Sequence, residues 1–239
     1  MKPGNPILVA LDTPDPQAAL RLAKKLAGRV GGVKLGLEFF AANGPDGVRR
    51  IAELGLPVFL DLKFHDIPNT VAGALRSVAP LAPLMVNVHA QGGLAMMQAA
   101  REAAHEAAAK LGQRPPILLA VTVLTSLDGG ALRQAGVAGG AAAQVLRLAK
   151  LAKKAGLDGV VCSGLEAKAI RLALGPDFAL VVPGIRPLWA AKGDQKRIMT
   201  PAKALKVGAD WLVIGRPITG AADPADAALR IQAEIDGRR

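Results

Sequence analysis

Short runs rich in Val, Ile and Leu recur along the chain, separated by segments with a helical spacing of apolar positions. The runs are ILVAL (7 to 11), GVKLG (32 to 36), PVFLDL (57 to 62), LMVNVH (84 to 89), ILLAVTV (117 to 123), DGVVCS (158 to 163), FALVVPG (178 to 184) and ADWLVIG (209 to 215). Each has the length and composition of a buried strand. Between them lie DPQAALRLAKKLAG, GGLAMMQAAREAAHEAAAKLG, AAAQVLRLAKLAKKAG and TPAKALKVG, whose Ala, Leu, Lys and Arg content predicts amphipathic helices. Strands alternating with helices demand right-handed parallel crossovers, and eight of them predict an α/β fold closed into a (β/α)8 TIM barrel. An open doubly wound sheet is the alternative, but no GxGxxG follows the first strand.

The length of 239 residues agrees with one such barrel, so residues 1–239 are expected to form a single domain. One long irregular segment interrupts the pattern, PGIRPLWAAKGDQKRIM after the seventh strand. With Trp189 and its flanking glycines, it is expected to be a lid at about 184–199 that orders on a ligand. No apolar stretch reaches the roughly 20 residues that span a bilayer, and the first residues, MKPGNP, lack the apolar core of a signal peptide. The expected location is therefore the cytoplasm, without a membrane partner.

Charge changes this picture only modestly. The net charge of +11 raises the question of nucleic acid, but aromatic residues are 3%, Tyr is absent and Lys and Arg are scattered. Attraction for anionic small molecules fits better than nucleic-acid binding, and a basic surface without function fits equally. Cys162 is the single cysteine and reads as a small buried side chain. His65, His89 and His105 show no metal-ligand spacing, and no metal site is expected.

Barrel enzymes react at the carboxyl ends of their strands, so the polar residues that close each run are the candidates. They are Asp12, Lys34, Asp61 with Lys63, His89, Thr125, Ser163, Arg186, and Gly215 with Arg216. On a strand of period two, Asp61 and Lys63 share one face while Leu60 and Leu62 take the other. If the leucines meet the outer helices, both charges point into the mouth of the barrel, where Asp12 and Lys34 join them. An alternating array of two carboxylates and two ammoniums is tolerable there, whereas isolated charges would be costly. A buried ion-pair network without chemistry is the competing account. Asp66 reads equally as a helix N-cap before Pro68, with Asn69 as a second capping group and Thr70 as a surface residue. Glycine and arginine after the seventh and eighth strands (Gly184 and Arg186, Gly215 and Arg216) suggest a phosphate site and hence a phosphorylated substrate.

DLKFHDIPNT, with LVALD, GVKLG, MVNVHAQGG, AVTVLTS, PGIRP, GDQ and VIGRPIT, closely resembles the bacterial orotidine 5′-phosphate decarboxylases from Ile7 to about Pro224. The resemblance implies cofactor-free conversion of orotidine 5′-monophosphate to UMP and carbon dioxide by a homodimer with shared active sites. It makes Lys63 the proton donor, sets Asp61 beside the departing carboxylate and completes the charged array with Lys34. It gives Asp12 and Thr70 to the ribose, with Asp66 and Thr70 coming from the partner subunit, and Thr125 to the pyrimidine ring. It gives the phosphate end to Gln195, Arg186, Gly215 and Arg216, with Pro183 close by. Lys196 stands where the family pattern leads one to expect Arg, and Leu188 to Lys192 form a lid segment outside the matched motifs. Two rival functions remain: a magnesium-dependent sugar-phosphate decarboxylase or aldolase of the same superfamily, and a non-catalytic pyrimidine-nucleotide binding protein. The IPNT extension and GDQ argue against the first, and the intact Asp61, Lys63 and Asp66 against the second.

Overall fold

A computed structural model describes residues 3–190 and 199–237, and each of the eight apolar runs forms a strand in it. The strands are β1 (Ile7–Ala10), β2 (Gly32–Gly36), β3 (Val58–Phe64), β4 (Met85–His89), β5 (Ile117–Val121), β6 (Gly159–Val161), β7 (Ala179–Val182) and β8 (Trp211–Ile214). They pair in parallel in chain order, and β8 returns to β1, so the barrel is closed. Around it run α1 (Pro16–Leu26), α2 (Leu37–Ala52), α3 (Pro68–Val78), α4 (Gly93–Lys110), α5 (Gly129–Gln134), α6 (Ala141–Lys154), α7 (Gly164–Leu174), α8 (Pro201–Lys206), α9 (Arg216–Thr219) and α10 (Pro224–Ile235). The four helical segments read from the sequence are α1, α4, α6 and α8. Among the described residues, no helix is long and apolar enough to cross a membrane.

Helix boundaries follow local chemistry. Asp15 accepts the Gln17 N–H at 2.8 Å ahead of Pro16, and Asp223 accepts the Ala225 N–H at 2.9 Å ahead of Pro224, so both helices start with a side-chain cap and a proline in the first turn. Ser163, a candidate at the strand ends, caps α7 by accepting the Leu165 N–H, a structural role. Helix α2 changes direction at Gly44, whose φ of 59° only glycine adopts cheaply, just before Pro45.

The strands divide the core in two. Their outward residues, such as Val9, Leu35, Leu60, Leu62 and Val86, pack with the helices. Their inward residues, Leu8, Ala10, Phe59, Met85, Leu119, Val181, Trp211 and Val213, fill the barrel itself. Burial of each large side chain contributes about 1.5–3 kcal/mol. Inward positions two residues further along β3 and β4 are Asp61 and Asn87, both buried. The barrel interior thus turns from apolar to polar toward the carboxyl ends, and that change forms the floor of the site.

At the opposite end, Arg171 of α7 locks two turns together. It donates to the carbonyls of Gly175, Pro176, Phe178 and Gly208 and pairs with Asp210 at 2.6 Å, while Asp210 also accepts the Leu180 N–H. Removing one partner strands the other, so Asp210→Ala should cost about 3 kcal/mol. Denaturant unfolding measures the loss, and KM should stay unchanged because the pair lies at the amino-terminal face of the barrel.

Candidate active site

The four charges predicted to converge do so. The Lys34 ammonium lies 2.9 Å from Asp12 Oδ1 and 3.3 Å from Asp61 Oδ2, and the Lys63 ammonium lies 2.7 Å from Asp61 Oδ1. The order Asp12, Lys34, Asp61, Lys63 alternates in sign, drawn at the rim from the loop that follows β1 and from β2 and β3. Gly36 leaves room for it: a Cβ there would stand 2.9 Å from Lys34 Nζ and 3.1 Å from Asp12 Oδ1. The sequence reading did not single out that glycine.

The route by which Lys63 arrives differs from a plain period-two strand. Pairing of β3 with β4 slips between Leu60 and Phe64, and Lys63 has φ of 51°, in the left-handed region that non-glycine residues rarely occupy. The bulge withdraws the Lys63 N–H from the ladder, and Asn87 Oδ1 accepts it at 2.8 Å. The other end of that amide donates to Asp61 Oδ1 at 2.7 Å. Asn87 was overlooked in MVNVHAQGG, although its place between Met85 and His89 on one face of β4 was a signal that it points inward.

Electrostatics favour the charged forms. Burial disfavours the Lys34 ammonium, but the carboxylates of Asp61 and Asp12 outweigh it and hold its pKa above the ordinary value. Burial likewise disfavours the Asp61 carboxylate, yet Lys34, Lys63 and the Asn87 amide hold it below the usual carboxylate range. His89 is pushed down by burial, then by His65 and Lys63, and among the described residues its buried Nδ1 has no hydrogen-bond partner. The His65 and His89 rings lie 5.4 Å apart.

Two cavities meet above the array. One of about 160 Å³ holds Lys34, Asp61, Lys63, Thr125, Cys162 and Pro183, with apolar walls from Val121, Val123 and Val213. The other, about 390 Å³, holds Asp12, Lys34, Pro183, Gly184, Arg186, Gly215 and Arg216. Lys34, Pro183 and Val213 belong to both, so a ligand can run from the array to the two arginines. Arg186 is buried, and that burial, followed by the charge of Arg216, pushes its guanidinium below its ordinary value. A phosphate between the two would relieve both effects.

Two predicted residues stand apart. Asp66 and Thr70 are exposed, like every residue from His65 to Thr70, and neither lines these cavities. The capping alternative for Asp66 also needs correction. The N-cap of α3 is Ile67, without a side-chain cap, because the Asp66 carboxylate turns to the N–H of Ile67 at 2.6 Å and not into the first helical turn. Asn69 lies inside the first turn of α3 and is no cap either. Gln195 and Lys196 lie outside the described residues, as does the part of the expected lid segment from 191 to 198. The described start of that segment places Trp189 beneath Arg230 of α10, with the guanidinium carbon 4.4 Å from the ring centroid. Among the described residues, no group of three or more His, Cys, Asp or Glu side chains could hold a metal ion.

Comparison with known proteins gives one answer over nearly the whole length. The model of the orotidine 5′-phosphate decarboxylase / HUMPS family matches residues 5–231. An orotidine 5′-phosphate decarboxylase of Rhodospirillum rubrum is 61% identical over 234 residues, covering 98% of this chain and 95% of that one. The enzyme of the same name from Paramagnetospirillum magneticum is 56% identical over 231 residues, covering 97% and 98%. A crystal structure of orotidine 5′-phosphate decarboxylase from Lactobacillus acidophilus superposes with a TM-score of 0.86 at 39% identity, covering 97% of this chain and 99% of that one.

Proposed function

The chain belongs to the orotidine 5′-phosphate decarboxylase / HUMPS family, and we infer that it converts orotidine 5′-monophosphate to UMP and carbon dioxide, the last step of UMP synthesis. The observation that carries this reading is the alternating array of Asp12, Lys34, Asp61 and Lys63, set at one end of a cleft whose other end holds two arginines. A nucleotide whose reacting carbon is remote from its phosphate fits that cleft. The cytoplasm, where nucleotides are made, is the place for such an activity.

Breaking the bond to the carboxylate leaves its electron pair on a ring carbon, in the ring plane, where the π system cannot take it up. A fixed ammonium must therefore face the developing carbanion and then protonate it, which a pre-aimed charge in a confined site does better than water. Lys63 supplies that ammonium and the proton, and Asp61 keeps it aimed. Lys34 holds Asp61 in turn, and Asp12 orients the ribose. Thr125 meets the pyrimidine ring beside the apolar wall of the smaller cavity. Arg186, Gly215, Arg216 and Gln195 hold the phosphate, whose binding energy drives closure of the segment at 184–199. Asp66 and Thr70, exposed and outside the cavities of their own subunit, serve the neighbouring site of a homodimer.

Following substrate absorbance in the presence of EDTA tests the reaction. Consumption of orotidine 5′-monophosphate unaffected by the chelator is expected; no consumption of it, with turnover of a sugar phosphate that EDTA abolishes, would favour the magnesium-dependent rival. Arg216→Ala tests the phosphate end. A charged hydrogen bond to phosphate is worth enough that its loss should raise KM roughly 10- to 100-fold, with a much smaller loss for orotidine, which lacks the phosphate. Equal losses for the two substrates would remove Arg216 from the phosphate site.

A further inference from the structure

We propose that Asn87 is a positioning residue, whose amide ties the bulged backbone at Lys63 to the Asp61 carboxylate and thereby fixes where the proton donor stands. The inference rests on the reading that Lys63 and Asp61 form the reacting centre. Asn87 is fully buried, and both ends of its amide are in use. Its oxygen accepts the Lys63 N–H at 2.8 Å, and its nitrogen donates to Asp61 Oδ1 at 2.7 Å, the same oxygen that receives the Lys63 ammonium. The orientation of the amide is unambiguous, since a backbone N–H can only donate and an ionised carboxylate can only accept.

The result is a closed ring of contacts: backbone of Lys63 to Asn87, Asn87 to Asp61, Asp61 back to the end of Lys63. A non-glycine residue at φ of 51° persists only where its surroundings over-determine it. The slip between β3 and β4 deprives the Lys63 N–H of a strand partner, and Asn87 is what replaces it. A Leu of similar size would fill the volume but leave this N–H and one lone pair of Asp61 unmet in a buried place. Displacing the ammonium by about an ångström is enough to reduce chemistry roughly 10²-fold without touching the phosphate end.

The test compares kcat and KM for orotidine 5′-monophosphate across a range of pH in Asn87→Ala, Asn87→Asp and, as reference, Lys63→Ala. Asn87→Ala should lower kcat by roughly 10²-fold with KM within about threefold of the parent. Asn87→Asp is isosteric. Protonated, it donates to Asp61 as the amide does; ionised, it opposes one carboxylate with another. The groups that set its titration are Asp61 and Lys63 from β3, Lys34 from β2 acting through Asp61, and His89 along β4. This variant should therefore lose activity as pH rises, a limb absent from the parent. Should Asn87→Ala fail to fold, the pH profile of Asn87→Asp decides alone. The inference is overturned if Lys63→Ala is inactive while both Asn87 variants keep kcat within about threefold, or if the profile of Asn87→Asp runs parallel to that of the parent. An active Lys63→Ala would instead overturn the reading of the centre itself.

Discussion

Lys63→Ala is expected to keep the barrel and lose turnover by roughly 10⁴- to 10⁶-fold, the combined loss of a proton donor and of a cation facing developing charge. The fold should survive because the substitution leaves no buried charge alone. Asp61 keeps Lys34 at 3.3 Å and the Asn87 amide at 2.7 Å, and Asn87 keeps the backbone N–H of residue 63. Alanine tolerates the left-handed backbone no worse than lysine does, since the strain comes from the Cβ that both possess. The side chain removed is partly exposed at the mouth of the site, so little apolar burial goes with it. The measurement is kcat from substrate absorbance beside a thermal melt followed by circular dichroism. Turnover near that of the parent with a normal melt would sink the role given to Lys63.

The architecture was open to reading because parallel strands buried on both faces announce themselves as apolar runs, and Asp12, Lys34 and Asp61 follow from asking which polar residue closes each run. Their convergence is a consequence of topology: neighbouring strands bring successive rim residues together. Lys63 was reached by a rule that held only in part, since period two predicts a regular strand and the chain there makes a bulge. Nothing in DLKF marks the φ of 51°, because that conformation is stabilised from β4, 24 residues away, by Asn87. A polar residue in the middle of an apolar run carries that information only once its partner strand is known. Asp66 failed as a cap for a local reason: Asp-Ile-Pro places the proline at the first helical position and so makes Ile67 the capping position. Ile67 at that capping position is 66% accessible, and neither reading of DIPN, as a helix start or as part of a site, singles it out.

Mixing Lys63→Ala with Asp66→Ala should restore activity that neither variant has. Within one subunit the Asp66 carboxylate is exposed and bonded to the Ile67 N–H, and among the described residues no cation of its own chain stands beside it. If it serves the site of a partner, each homodimer of either variant contains only defective sites. A hybrid holds one site that lacks both residues and one that lacks neither. Random reassortment of an equal mixture makes about half the dimers hybrid, so roughly a quarter of all sites recover, by the reciprocity of a two-fold interface. The experiment is co-refolding of the two variants, with separately refolded parents mixed afterwards as the control and a size or charge tag on one of them to count hybrids. Activity near a quarter of the unsubstituted enzyme is the expected result. Were Asp66 to act within its own chain, every hybrid site would still carry one lesion and the mixture would show only the mean of its parents. That mean, in a sample where hybrids are counted, would return Asp66 to a local role in the turn before α3 and leave the site built from a single subunit.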